Sequence, residues 1–147
     1  MISIIIPAYN EEKYLPKLLD CIKKQTYKDY EIIVADANSK DKTRQISKRY
    51  GCRVLKGGMP AAGRNNGAKA AKGDVLLFLD ADSLIEKDFL ENALNDIQKR
   101  KLDAAGSYLH PLSNNPIYKI FLVIFNVWTY ITQFFYPNAC GSGIFCR

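Results

Sequence analysis

Ile2 to Ile6 is a short apolar run, rich in β-branched residues and stopped by Pro7. Such a run predicts a strand buried on both faces that ends in a turn. After Asn10 the period changes. Leu15, Leu18, Leu19 and Ile22 recur at i, i+3, i+4 and i+7, which predicts a helix with Glu11 and Glu12 in its first turn. Glu31 to Ala35 reads as a second buried strand. A turn at Asn38 to Asp41 follows, with Asp41 able to cap a helix from Lys42 to Tyr50, and Gly51 supplies the stop. Cys52 to Leu55 is a third strand, and Gly57, Gly58 and Pro60 mark a loop. Ala61 to Ala71 is an Ala-rich helix interrupted by Gly63 and Gly67 and ended by Gly73. Asp74 to Leu79 is the strongest strand. Phe89, Leu90, Ala93, Leu94 and Ile97 give another amphipathic helix, and Leu102 to Leu109 a fifth strand. Strands alternating with helices predict an α/β fold: a mostly parallel sheet with helices on both faces. No repeat, linker or second domain boundary interrupts it.

Ile117 to Tyr136 differs from everything before it. The segment is apolar and aromatic nearly all round, yet Lys119, Asn126 and Gln133 recur every seven residues on one helix face. Three placements suit such an apolar C-terminal helix: a membrane span, an interfacial membrane helix, or a helix buried against the domain or a partner.

Composition narrows the function classes. The chain has 147 residues, 48% of them hydrophobic, which fits one globular domain with a sizeable core. Its net charge of +6 favours anionic partners without choosing among nucleic acid, acidic lipid and phosphorylated small molecules. No RNP-like or helix-turn-helix pattern accompanies that charge, so nucleic acid is not expected as a partner. Cys21, Cys52, Cys140 and Cys146 form no CxxC pair, and His110 is the single histidine, so a zinc site is not expected. The N-terminal residues carry no basic region ahead of a cleavable apolar core, which predicts a cytoplasmic protein.

Ligands of open parallel sheets bind beyond the carboxyl ends of the strands. Here the first strand ends in Pro7-Ala8-Tyr9-Asn10-Glu11-Glu12, the second in Asp36-Ala37-Asn38-Ser39-Lys40-Asp41, and the fourth in Asp80-Ala81-Asp82. Carboxylates, amides and an aromatic ring thus reach one rim. Asp80 and Asp82, alternate residues after an apolar strand, suit a hard divalent ion that takes one or two carboxylates plus substrate phosphates. A solvated acidic loop is the plainer reading of the pair taken alone. Asp36 has the same placement, though a lone Asp after a strand is often only a turn former. Arg64, in Gly63-Arg64-Asn65-Asn66-Gly67, can meet a phosphate, whereas alone it reads as a surface residue. The chain has no GxxxxGK[ST] loop, no GxGxxG after the first strand and no GxSxG elbow, which argues against P-loop, dinucleotide and serine-hydrolase chemistry.

Taken in order, Ile5-Ile6-Pro7-Ala8-Tyr9-Asn10-Glu11-Glu12, Val34 to Thr43, Gly63 to Gly67 and Leu79-Asp80-Ala81-Asp82 resemble the family-2 nucleotide-sugar glycosyltransferases, inverting enzymes of the A-type, Rossmann-like fold. The resemblance implies a nucleotide-sugar-binding domain over 1–116, with 117–147 as an apolar helix and the start of an acceptor-side region of the same domain. It also implies roles. Pro7 and Tyr9 would line the base and ribose, Glu11 would join the substrate-binding residues, and Asp36 would hydrogen-bond the base. Arg64 would lie near the base or pyrophosphate. Asp80 would approach the ribose and the metal, and Asp82 would be the main ligand of Mg²⁺ or Mn²⁺ on the diphosphate. A metal there would neutralise charge on the departing diphosphate. Family members carry a Gly-Gly-Phe loop and a carboxylate base after a segment like Gly141 to Arg147, so the general base is expected beyond Arg147.

The expected activity is transfer of a sugar, with inversion, from a nucleotide-sugar to an acceptor that family likeness suggests is lipid-linked or a polysaccharide. Two other readings stand beside it. A non-catalytic sugar-nucleotide-binding or membrane-scaffold module needs no base. A nucleotidyltransferase shares the sheet and aspartates but opens with a Gly-rich basic loop, where this chain has Pro-Ala-Tyr-Asn-Glu-Glu. The aromatic helix, the basic charge and the resemblance together predict a peripheral protein on the inner membrane face, or an oligomer joined through Ile117 to Tyr136.

Overall fold

The computed structural model describes residues 1–108, 115–132 and 143–147. The predicted parallel core is present. Strands β1 (Ile2–Ala8), β2 (Tyr30–Asp36), β3 (Arg53–Lys56) and β4 (Val75–Phe78) pair in parallel. Strands β5 (Ala104–Gly106) and β6 (Ile144–Cys146) complete a six-stranded sheet of order β3-β2-β1-β4-β6-β5. β6 runs antiparallel to both of its neighbours, so the sheet is mixed at that edge. The sequence pattern did not announce β6, and residue 109, the expected end of the fifth strand, lies outside the described residues.

β1 sits in the middle and is buried on both faces, as its apolar run requires. Its even residues Ile2, Ile4, Ile6 and Ala8 join one cluster with Leu15, Leu18, Leu19 and Ile22 of α1 (Leu15–Lys23) and with Leu90 and Ile97 of α4 (Phe89–Arg100). The ring of Phe145 in β6 seals this cluster, 5.6 Å from that of Phe89. Ile5 and Pro7 point the other way, toward α3 (Pro60–Ala70). Helix α2 (Thr43–Arg49) leads from β2 to β3. Cys52 is buried just before β3, and that burial pushes its thiol up to about 11, which suits a structural rather than a nucleophilic role.

Two expectations need correction. Helix α1 starts at Leu15, four residues later than the acidic pair suggests, and has no acidic side chain in its first turn. Glu11 and Glu12 instead belong to the loop after β1. The glycines read as interruptions of α3 are its contact surface. A Cβ on Gly67 would come within 2.3 Å of Ile5 Cγ2, and one on Gly63 within 3.3 Å of Pro7 Cβ. Both glycines are buried, and they let α3 lie directly on β1.

Helix α5 (Pro116–Thr132) has no buried residue. Ile117, Ile120, Phe121, Ile124 and Trp128 are each more than 60% exposed, so the described residues leave that face of the helix uncovered. Among the described residues no helix is long and apolar enough to cross a membrane. Gln133 and the rest of the predicted helix to Tyr136 lie outside the described residues, as do His110 and Cys140.

Candidate functional site

The loops after β1 and β2 are clasped together by reciprocal hydrogen bonds. Asn10 N–H donates to Ser39 Oγ at 2.9 Å, and Asn10 Oδ1 accepts from Lys40 N–H at 2.9 Å. Glu11 N–H donates to Thr43 Oγ1 at 2.8 Å and Glu12 N–H to Asp41 Oδ2 at 3.0 Å, while Glu12 Oε2 accepts from Lys42 N–H at 3.0 Å. Asn10 and Asn38 adopt φ values of 56° and 66°, a left-handed conformation that Asn tolerates better than most residues. α2 starts at Thr43, one residue later than predicted, so Lys42 holds the cap position. Asp41 serves the helix start from the residue before it, accepting Thr43 N–H at 3.0 Å. Burial pushes its carboxyl up, but hydrogen bonds from the Thr43 side chain and from the Thr43 and Glu12 backbone outweigh that and hold it below its ordinary value.

The clasp shapes one wall of a cavity of about 380 Å³ at the carboxyl ends of the parallel strands. Pro7, Tyr9, Glu11, Arg64, Asp80 and Asp82 all line it, so six of the seven residues nominated from the sequence converge. Asp36 does not open onto the cavity, where its neighbour Ala37 takes the lining position. Its side chain is 1% exposed and accepts Ser39 N–H at 3.3 Å. The Arg44 guanidinium lies 3.4 Å from the Asp36 carboxylate and compensates the buried charge. Arg44 and the clasp roles of Asn10, Ser39, Lys40 and Thr43 escaped the sequence reading. Their signal lay in the quoted motif itself, where amide, hydroxyl and carboxylate side chains crowd a turn without apolar partners. A second cleft of about 420 Å³ lies at the opposite, amino ends of β2 and β3, between Tyr30, Tyr50 and Arg53, and holds none of the nominated residues.

The cavity walls differ in charge. From α3, Arg64 Nη2 donates to Asp80 Oδ1 at 2.6 Å, a close ion pair with the arginine side chain 24% exposed. Burial pushes the Asp80 carboxyl up, the Arg64 charge pulls it down, and Asp82 adds to the rise. Burial likewise raises the Glu11 carboxyl, helped by the charges of Asp82, Asp41 and Asp80. Asp82 is exposed. No group of three or more His, Cys, Asp or Glu able to hold a metal by itself occurs among the described residues. The donor set does fit a hard divalent ion whose remaining ligands are substrate phosphates and water. The cavity can therefore take an apolar or aromatic ring at Pro7 and Tyr9, a polyanion at Arg64, and a cation at Asp82.

Comparison with known proteins shows the fold and the family. GlyA, a glycosyltransferase of Streptococcus pneumoniae serotype 4 (strain ATCC BAA-334 / TIGR4), is 38% identical over 116 residues, covering 73% of this chain and 16% of GlyA. The crystal structure of Staphylococcus aureus TarS 1-349 in complex with UDP-GlcNAc superposes with a TM-score of 0.67 at 31% identity, over 77% of this chain and 37% of that one. Glucosyl-3-phosphoglycerate synthase of Mycobacterium tuberculosis, solved with Mn²⁺, UDP and glucosyl-3-phosphoglycerate, shares the fold at a TM-score of 0.70 and 18% identity, over all of this chain and 56% of that one. The chain thus spans well under two thirds of each relative's length. The family pattern described as Glycosyl transferase family 2 matches residues 3–145, and the chain belongs to that family.

Proposed function

We propose that the cavity binds a nucleoside-diphosphate sugar with Mg²⁺ or Mn²⁺, and that this domain transfers the sugar, with inversion, to an acceptor hydroxyl. The observation that carries the reading is the convergence of Pro7, Tyr9, Glu11, Arg64, Asp80 and Asp82 on one cavity at the carboxyl edge of a parallel sheet. Tyr9, 56% exposed, offers its ring to the base or ribose beside Pro7. Asp36 lies behind Ala37 and reaches a base donor only if the turn at Ala37 to Ser39 yields. Asp80 faces the ribose, Arg64 the pyrophosphate, and Asp82 is the metal ligand. The bound ion offsets the negative charge that develops on the diphosphate as its bond to the anomeric carbon breaks. The acceptor oxygen forms the new bond from the opposite face, and a carboxylate outside the cavity residues takes its proton.

Calorimetric titration with UDP, GDP and dTDP, with and without Mn²⁺, tests this reading. Uridine nucleotides come first because TarS, at 31% identity, is solved with UDP-GlcNAc. Binding of at least one nucleotide, tightened by the metal, is expected. A folded sample that binds none of the three overturns the reading. Asp82→Asn should cost more with the metal than without it, on the order of tenfold in affinity.

The same reading places the domain at an anionic membrane surface through α5. A broad exposed face of that helix carries Ile117, Ile120, Phe121, Ile124, Val127 and Trp128, while Leu122, Phe125 and Thr129 on the other face are half-buried, and the chain carries a net charge of +6.

A further inference from the structure

We infer that Gln25 is a positioning residue of the donor cavity: its buried amide, just past the end of α1, ties down the chain that leaves Asp82 and so fixes where that carboxylate meets a cation. This rests on the nucleotide-sugar reading above and deepens it.

Gln25 follows the C-cap of α1 at Lys24 and is fully buried. A buried amide needs partners for both its donor and its acceptor. Its Nε2 donates to Glu86 O at 2.5 Å and to Cys21 O at 3.3 Å, and its Oε1 accepts Leu90 N–H at 3.0 Å. Two of these bonds therefore leave α1 for the stretch that joins the Asp80–Asp82 loop to α4. Thr26 adds two more, from its N–H to Lys87 O at 2.9 Å and from its Oγ1 to Glu91 Oε2 at 2.6 Å. Leu90 lies in the first turn of α4, where N–H groups find no partner inside the helix, and the N-cap Asp88 makes no side-chain cap bond. Gln25 supplies, from another helix, the acceptor that this N-cap does not.

The chain between the two attachments has no regular structure of its own, since Ser83 to Glu86 are neither helix nor strand. On the upstream side the sheet holds the loop: Leu79 N–H donates to Ile5 O at 3.0 Å, and Ala81 is buried. On the downstream side Glu86 stands four residues past Asp82, a reach of at most about 14 Å. Any shift of Glu86 must be absorbed within that span, and Asp82, being exposed, has no burial to resist it. Ile85 packs against the core in the same span, but apolar contact is non-directional. The paired bonds of a buried amide are directional and select one setting of the segment. A carboxylate that shares an ion with a diphosphate depends on such support behind it.

The test is calorimetric titration with whichever of UDP, GDP and dTDP binds most tightly, read as the ratio of affinities with and without Mn²⁺. Gln25→Met removes the bonds at similar volume and should lower that ratio by about tenfold, with the metal-free affinity left near that of the parent. Gln25→Asn keeps an amide too short to reach both partners and should fall between the two; if Gln25→Met does not fold, Gln25→Asn decides. Ile2→Val, a core substitution in β1, should lower the melting temperature and leave the ratio unchanged. Hydrogen exchange supplies a readout that needs no ligand. The Ser83 amide, bonded to Asp80 O at 3.0 Å, should exchange faster in Gln25→Met, while that of Ile4 keeps its protection. A parental ratio in the folded Gln25 variants overturns the inference, as does unchanged exchange at Ser83. It is also overturned if metal-free and metal-dependent binding weaken equally, the result a merely structural role would give. A parent that binds no nucleotide sinks the functional reading as well, whereas a parental ratio in the variants sinks this inference alone.

Discussion

Glu11 sits where its charge is least welcome, partly buried and facing Asp82, Asp41 and Asp80. Burial and those charges raise its carboxyl above the ordinary value of 4.5, so ionising it is harder in the folded chain than in the unfolded one. The sign follows from linkage. The contribution of the neutral acid is fully present below the unfolded value and is lost as pH rises through the folded value. At neutral pH the ionised Glu11 therefore destabilises the ligand-free fold. Glu11→Gln is expected to raise the melting temperature at pH 7 by about 1–3 °C and to make no difference below about pH 4. Thermal melts of both proteins at the two pH values check this, and an unchanged midpoint at pH 7 would contradict it. Asp80 shares the predicament, since burial raises its carboxyl as well. Stability given up at a ligand rim is common where binding needs uncompensated charge.

At the scale of the element, α3 rests on β1 through closely fitted glycines. Because a Cβ on Gly67 would meet Ile5 Cγ2 at 2.3 Å, Gly67→Ala must push the helix off β1 or distort Ile5. Overpacking of this kind costs about 1–3 kcal/mol, more than the few tenths to 1 kcal/mol that alanine adds in helix propensity. Urea denaturation of the variant should show a net loss of stability, and a gain would mean that α3 is loosely held. The displaced helix carries Arg64, so nucleotide affinity should fall in parallel. How much of the molecule was legible in the sequence divides along these lines. The buried parallel strands were readable because β1 and β2 are apolar on both faces, and the cavity was readable because its residues follow strand ends directly. The role of Gly63 and Gly67 was not, although their spacing of four residues puts them on one helix face, because local propensity says nothing about what that face meets. β6 was hidden for a different reason: three residues are too few to show a period, and only pairing with β4 and β5 defines it. The onset of α1 was misplaced since Glu11 and Glu12 satisfy the N-terminal preference of helices while serving the cavity and the clasp.

At the scale of the whole molecule, α5 is the feature that a free monomer tolerates least. Trp128 is the single tryptophan of the chain and is 66% exposed on α5, so its fluorescence reports on this helix. With vesicles containing anionic lipid, the emission is expected to shift to the blue, and the shift should weaken as salt rises. An emission that is blue at the outset and indifferent to vesicles would instead indicate a second copy covering the helix, if sedimentation gives a dimer. The same emission from a sedimenting monomer would show the helix to be covered within the chain. Either outcome would remove the membrane from the proposed function while leaving the donor cavity intact.

The antiparallel insertion of β6 also orders events in time. β1, β2, β3 and β4 are paired with one another and all lie before residue 79, so they can come together early during synthesis. Among the described residues β5 pairs with β6 alone, and Gly106 must wait for Ile144 to be made before that pairing forms. Until then the edge of β4 presents unpaired N–H and C=O groups, open to capture by a strand of another nascent chain. Late strand closure next to the Asp80 loop therefore leaves that edge exposed to aggregation until Ile144 to Cys146 has been made.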